Sequence, residues 1–215
     1  MNVPVDLIFL TVCLLASFSA FSQKPSPFYL KIFPFYFIIT VLVQQIGTYL
    51  SQHTIPNAVL YNSFSIFDFA FNFFVLRLII QNKRVKIIIF FILILYPVVS
   101  CLNLFYFKQG GTFRTVNYAI GCSLIVVFCI IYFVELFQLP KAVNLKREPA
   151  FWICTAILFS YVCTFPFWGL VGFLNTAPPF ILRNLTTILM IINILSYSLF
   201  TIAFLCRIRI RKSTL

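Results

Sequence analysis

Lys86-Ile87-Ile88-Ile89-Phe90-Phe91-Ile92-Leu93-Ile94-Leu95-Tyr96-Pro97-Val98-Val99-Ser100-Cys101-Leu102-Asn103-Leu104-Phe105-Tyr106 is an apolar run in which no charged side chain follows Lys86. A helix needs about 20 residues to cross a bilayer, whereas a strand usually has about five or six. The run is long enough to span and too long for a strand. Comparable runs lie on either side of it: about 4–22, 30–50 and 58–80 before it, and about 117–138, 149–170 and 181–206 after it. Polar turns separate them, among them Gln23-Lys24-Pro25-Ser26-Pro27, Gln52-His53-Thr54-Ile55-Pro56-Asn57, Gln81-Asn82-Lys83-Arg84 and Gly110-Gly111. The expected fold is all-α: a polytopic membrane bundle of seven transmembrane helices, forming a single integral membrane domain over residues 1–215.

Composition agrees with that reading. Hydrophobic residues make up 62% of the chain and charged ones 9%, against about 25% charged in a typical soluble protein. Seven spans of about 20 residues leave about 75 for connections and ends. No kinase, nuclease or ligand-binding ectodomain is expected within these residues.

Sixteen Lys and Arg face four Asp and Glu, a net charge of +12. No basic segment is long enough to build a groove for nucleic acid, so the charge is read as orientation in the membrane. With the amino terminus outside, the inner segments hold Lys24, Lys31, Arg77, Lys83, Arg84, Lys86, Lys141, Lys146, Arg147, Arg207, Arg209, Arg211 and Lys212. The outer ones hold only Lys108, Arg114 and Arg183, thirteen against three. The carboxyl terminus is then cytoplasmic. Ala16-Ser17-Phe18-Ser19-Ala20 offers a possible signal-peptide cleavage site, but the segment before it carries Asp6 and no basic residue, so the first run is kept as a span.

The start of the sixth span combines Glu148, which faces the positive end of the helix dipole, with Pro149 in the first turn. Trp152 and Trp168 lie about 24 Å apart along that helix and are expected to act as interfacial anchors. Pro34, Pro97 and Pro166 should kink their spans. Glu135 is expected to reach the interface and pair with a nearby Lys or Arg. The Arg207-Ile208-Arg209-Ile210-Arg211-Lys212 tail reads as a stop-transfer anchor, and the sequon Asn184-Leu185-Thr186 as accidental.

Groups for catalysis are scarce. The only histidine, His53, sits in an outer turn with no acidic neighbour. The cysteines (13, 101, 122, 129, 154, 163 and 206) form no close C-x-x-C pair and read as packing residues. Cys101 and Cys122 are the one pair placed to approach each other. No lysine between Ile181 and Cys206 can carry retinal, and no Gly-rich phosphate loop is present. The expectation is no enzyme, no metal and no cofactor.

The best polar constellation is Tyr61, Ser65, Asp68 and Asn72, whose spacing of 4, 3 and 4 puts them on one helix face. Asp68 lies near mid-membrane, where a charge costs several kcal/mol or is avoided by protonation. Asn193, Tyr197 and Thr201 form a comparable row on the last span. If the two helices face each other, Asn193 or Tyr197 can hydrogen-bond Asp68. One reading is a polar cavity; the other is an interhelical cluster that fixes packing, worth about 1 kcal/mol.

Two stretches, Asn144-Leu145-Lys146-Arg147-Glu148-Pro149-Ala150-Phe151-Trp152-Ile153 and Asn193-Ile194-Leu195-Ser196-Tyr197-Ser198-Leu199-Phe200-Thr201-Ile202-Ala203-Phe204-Leu205-Cys206, resemble a group of small uncharacterised multi-pass membrane proteins of Bacteroidetes. The resemblance implies a stand-alone protein of the cell inner membrane, in a group sometimes encoded beside two-component signalling genes. The function expected is a sensory or accessory module that signals through a separate partner at its cytoplasmic loops, with the lipid bilayer as its other partner and no nucleic acid. The alternative is a small transporter or channel with a polar cavity at Asp68. A three-plus-one-plus-three transporter should show parallel repeats. Phe33-Pro34-Phe35-Tyr36 and Phe165-Pro166-Phe167-Trp168 are the candidate pair, but their prolines lie at different depths, so that repeat fails.

Overall fold

The computed structural model describes residues 5–22, 26–106, 115–138, 144–169 and 179–206, with the backbone alone for 104–106, 115, 167–169 and 179–183. They form α1 (Val5–Ser22), α2 (Phe28–Gln52), α3 (Ala58–Ile79), α4 (Lys83–Tyr106), α5 (Thr115–Phe137), α6 (Pro149–Gly169) and α7 (Pro179–Leu205), with a short 3-10 turn at Leu145–Arg147. Each of the seven helices is long and apolar enough to cross a membrane, and no strand occurs among the described residues. Their ends fall within three residues of the expected spans. The first run is an integral part of the bundle: Leu10, Cys13 and Ser17 of α1 are fully buried.

Contacts between distant residues show that the helices alternate in direction. Asp6 at the start of α1 meets Gln44 in the second half of α2, Asn103 near the end of α4 meets Asn117 near the start of α5, and Ser19 meets Phe204 at the ends of α1 and α7. One end of the bundle therefore carries Lys31, Arg77, Lys83, Arg84, Lys86, Lys146 and Arg147, and is called the basic end below. The opposite end carries the α2–α3 turn with His53, whose Nδ1 lies 2.9 Å from the Tyr49 carbonyl. Lys24, Lys108, Arg114, Lys141 and the Arg207–Lys212 tail lie outside the described residues, as do the side chains of Arg183 and Trp168.

Adjacency defines a ring. Helix α1 packs on α2, α2 on α3, α3 on α5, α5 on α6, α6 on α7, and α7 returns to α1. Helix α4 stands outside this ring against α3. Only 17% of its span is buried, against 44% for α6, so most of its surface is left for lipid. The Phe-Pro pair marks no internal repeat, because Pro34 lies near the start of α2 and Pro166 near the end of α6.

Two glycines allow close approach within the ring. A Cβ on Gly47 of α2 would lie 2.8 Å from a ring carbon of Tyr61, and one on Gly121 of α5 would lie 2.8 Å from the Phe69 ring. Toward the basic end the ring is filled by Phe33 and Phe37 of α2 with Phe200 and Phe204 of α7, all buried. Their ring centroids are 5.6–6.1 Å apart across the two helices, in tilted and edge-to-face pairs.

Glu135 differs from expectation. Its carboxylate accepts the backbone N–H groups of Gln81 at 2.8 Å and Asn82 at 2.6 Å, where a Lys or Arg was expected. The α3–α4 turn leaves those amides without helical partners, and a carboxylate satisfies both while it holds α5 to the turn. At the α6 corner, Pro149 is the first helical residue and the Trp152 indole donates to the Lys146 carbonyl at 3.2 Å. All seven cysteines are free, so Cys101 and Cys122 are not bonded.

Candidate functional site: a polar cavity at Asp68

The expected row on α3 faces the interior of the ring. Tyr61, Ser65 and Asp68 line a cavity of about 380 Å³, together with Thr40 and Gln44 of α2, Tyr118 of α5 and Asn193 and Tyr197 of α7. A second cavity of about 170 Å³ continues from it toward the basic end. The two share Thr40, Phe64, Asp68, Tyr118, Asn193 and Tyr197, and Asn72 lines the deeper one. Phe37 and Phe200 form its floor. The space thus runs from the half of the bundle nearer the α2–α3 turn to mid-depth and stops on the phenylalanine cluster.

Asp68 sits at the junction, half-buried, on a helix that touches α2, α4, α5 and α6. The Tyr36 hydroxyl donates to its Oδ1 at 2.7 Å and the Tyr161 hydroxyl to its Oδ2 at 2.6 Å. Asn72 Nδ2 adds a contact to Oδ1 at 3.1 Å and lies 3.0 Å from the Tyr161 oxygen. Both phenols are held in place by packing. Tyr36 stacks on Phe71 with centroids 4.3 Å apart, and Tyr161 packs on Phe69 at 5.3 Å. Hydrogen bonds that converge on a carboxylate are stronger than neutral ones, and here they arrive from α2, α3 and α6.

The expected partners of Asp68 were Asn193 and Tyr197. Both line the cavity with it, but the carboxylate is bound by Tyr36, Tyr161 and Asn72. The cause is the ring: α3 packs on α2 and α6 and faces α7 across the cavity. Asn193 instead donates to Asp6 Oδ2 at 3.5 Å, beside Gln44 Nε2 at 3.2 Å. Asp6, read from sequence only as evidence against a signal peptide, is a buried member of this polar interior.

Tyr36, Tyr161, Thr40, Gln44 and Asp6 were not singled out from sequence. Helix α2 did carry a signal: Tyr36, Thr40, Gln44 and Thr48 recur every fourth residue, the spacing of one helix face. The Thr40 and Thr48 hydroxyls donate to the carbonyls of Tyr36 and Gln44, so those side chains need no partner on another helix. Tyr161 has Ser160 beside it and Thr164 one turn on, and both line the deeper cavity with it. Of the expected anchors, Trp152 is at the α6 corner, while the Trp168 ring lies outside the described residues.

The described residues contain no group of three or more His, Cys, Asp or Glu placed to hold a metal ion. No family model matches the chain, and no curated protein or solved structure matches it either. The arrangement can bind a small polar molecule by hydrogen bonds to the Asp68 carboxyl and the polar groups around it, inside a bundle whose outer surface is apolar.

Proposed function

We propose that this chain is a small permease that takes a polar solute into the Asp68 cavity and passes it between the two faces of the membrane. One observation carries the reading: a half-buried mid-depth acid faces a cavity inside a closed six-helix ring, held by tyrosines from α2 and α6. Solute sites of many transporters lie near the bilayer midplane. A polar residue used only for packing needs no adjoining cavity. In proteoliposomes, the wild type should accumulate small labelled solutes of the right class at least tenfold faster than Asp68→Asn. Equal rates would count against the reading.

A sensory module is the second reading, and Glu135 favours it. Helix α3 carries Asp68 and ends at the turn that Glu135 clamps, so a ligand that shifts α3 would be felt at the basic end. A separate signalling protein at the loops there would be its partner.

We place the basic end in the cytoplasm of a bacterial inner membrane, with the amino terminus outside. The support is the distribution of Lys and Arg. The inner membrane rests on the likeness of 144–153 and 193–206 to small Bacteroidetes membrane proteins. A reporter inserted in the α3–α4 turn after Asn82 should be active only in the cytoplasm. A periplasmic signal there would invert the topology.

A further inference from the structure

Resting on the reading of the Asp68 cavity as a solute site, we propose that its ligand is a small organic cation, an amine or quaternary ammonium. Charge is the first argument. Asp68 lines both parts of the cavity, and no Lys, Arg or His lines either. Its three partners are two phenols and an amide, which carry no compensating charge. A carboxylate or phosphate ligand would meet that acid with no basic group to bind it. A cation would supply the missing charge, in a medium where water screens little.

Acceptor capacity is the second argument. A carboxylate offers about four acceptor positions, and Oδ2 of Asp68 is engaged by Tyr161 alone among the described contacts. One N–H of an amine can therefore be accepted without displacing either tyrosine, while a quaternary ammonium would be held by charge alone. Tyr61, Phe64, Tyr118 and Tyr197 also line the cavity, and aromatic rings attract positive charge over their faces.

A third observation is independent of the acid. Ser196 is only 3% exposed and lines the deeper cavity, and its buried hydroxyl has no hydrogen-bond partner among the described residues. Buried hydroxyls almost always have one. A ligand bearing a hydroxyl or a second N–H at its far end would satisfy it. A volume of about 380 Å³ is at the small end of ligand pockets, which limits the ligand to a compact molecule.

The test is a set of matched pairs applied to the purified full-length protein in detergent. Choline is paired with its uncharged carbon isostere 3,3-dimethylbutanol, ethylammonium with ethanol, and putrescine with 1,4-butanediol; sodium acetate serves as the anion. Each is titrated while the melting temperature is followed. The expected result is a saturable rise of about 5 °C or more for at least one cation at 100-fold over its Kd, and none for its neutral partner or for acetate. Asp68→Asn should weaken that binding at least tenfold, and Ser196→Ala should weaken the hydroxylated or two-ended ligands more than ethylammonium. A panel in which no cation stabilises more than its neutral isostere overturns the proposal, whether or not Asp68→Asn folds. Flux of neutral solutes without cation preference would overturn the ligand class and leave the permease reading intact. Cation binding without any flux into liposomes would do the reverse.

Discussion

Asp68→Leu is expected to lower the unfolding free energy of the detergent-solubilised protein by about 3 kcal/mol, while Asp68→Asn lowers it by about 1 kcal/mol or less. Leucine removes the common acceptor of Tyr36, Tyr161 and Asn72. Tyr161 is buried and loses its acceptor, whereas Asn72 keeps its bonds to the residue-68 carbonyl and the Tyr161 oxygen; an unsatisfied buried polar group is destabilising by about 1–3 kcal/mol. Water in the adjoining cavity would recover part of that for Tyr36. Asparagine has the same size and keeps one acceptor oxygen, while its amide can donate to a phenol that turns to accept. Solute uptake should fall with both variants, because both remove the charge. Thermal unfolding read beside uptake separates the two effects. A stable Asp68→Leu protein would show that the carboxylate is not the hub of this interface.

Phe37→Ala is the second large effect. The ring is fully buried, packs on Phe33, Phe200 and Phe204 and floors the deeper cavity. Truncating a buried phenylalanine destabilises by about 3–5 kcal/mol, part of it from the cavity left behind. Here the void would extend the polar space toward the basic end. We therefore expect a melting temperature lower by several degrees and a passive leak of small solutes at least tenfold above wild type. Phe37→Leu refills most of the volume and should restore both. If Phe37→Ala proteoliposomes stay as tight as wild type, the phenylalanine cluster is not the barrier.

The spans were legible because length and apolarity are local properties of the chain. The α3 row was legible for the same kind of reason, since four polar residues at helical spacing stand out against an apolar helix. Which helix faces which was not. In a soluble bundle the apolar stripe marks the buried side, but in lipid the outward side is apolar too. Nothing in the α7 row at Asn193 and Tyr197 therefore says that it faces Asp68 across a cavity. Tyr36 and Tyr161 are hidden by the same ambiguity, because a tyrosine among Phe and Ile reads equally as packing or as a hydrogen-bond donor. Asp6 was misleading for a different reason: five residues from the terminus it reads as a flank, yet it is buried against Gln44 and Asn193. Glu135 was correctly placed near the basic end, but its partners are backbone amides, which carry no residue-type signature.

Access to the cavity, independent of any solute, tests the central claim most directly. Single cysteines at Ser65, Ser196 and Thr54 are introduced into a protein whose native cysteines have been replaced, and a membrane-impermeant maleimide is applied to each face of oriented vesicles. Thr54, exposed in the α2–α3 turn, is the positive control. The account predicts that Ser65→Cys reacts from the face that labels Thr54→Cys, and that Ser196→Cys, in the deeper cavity, reacts from the opposite face in the fraction of molecules that have switched. Labelling at Ser65 alone would leave a receptor in place of a permease. Protection of both Ser65 and Ser196 from either face, with Thr54 fully labelled, would contradict the cavity itself.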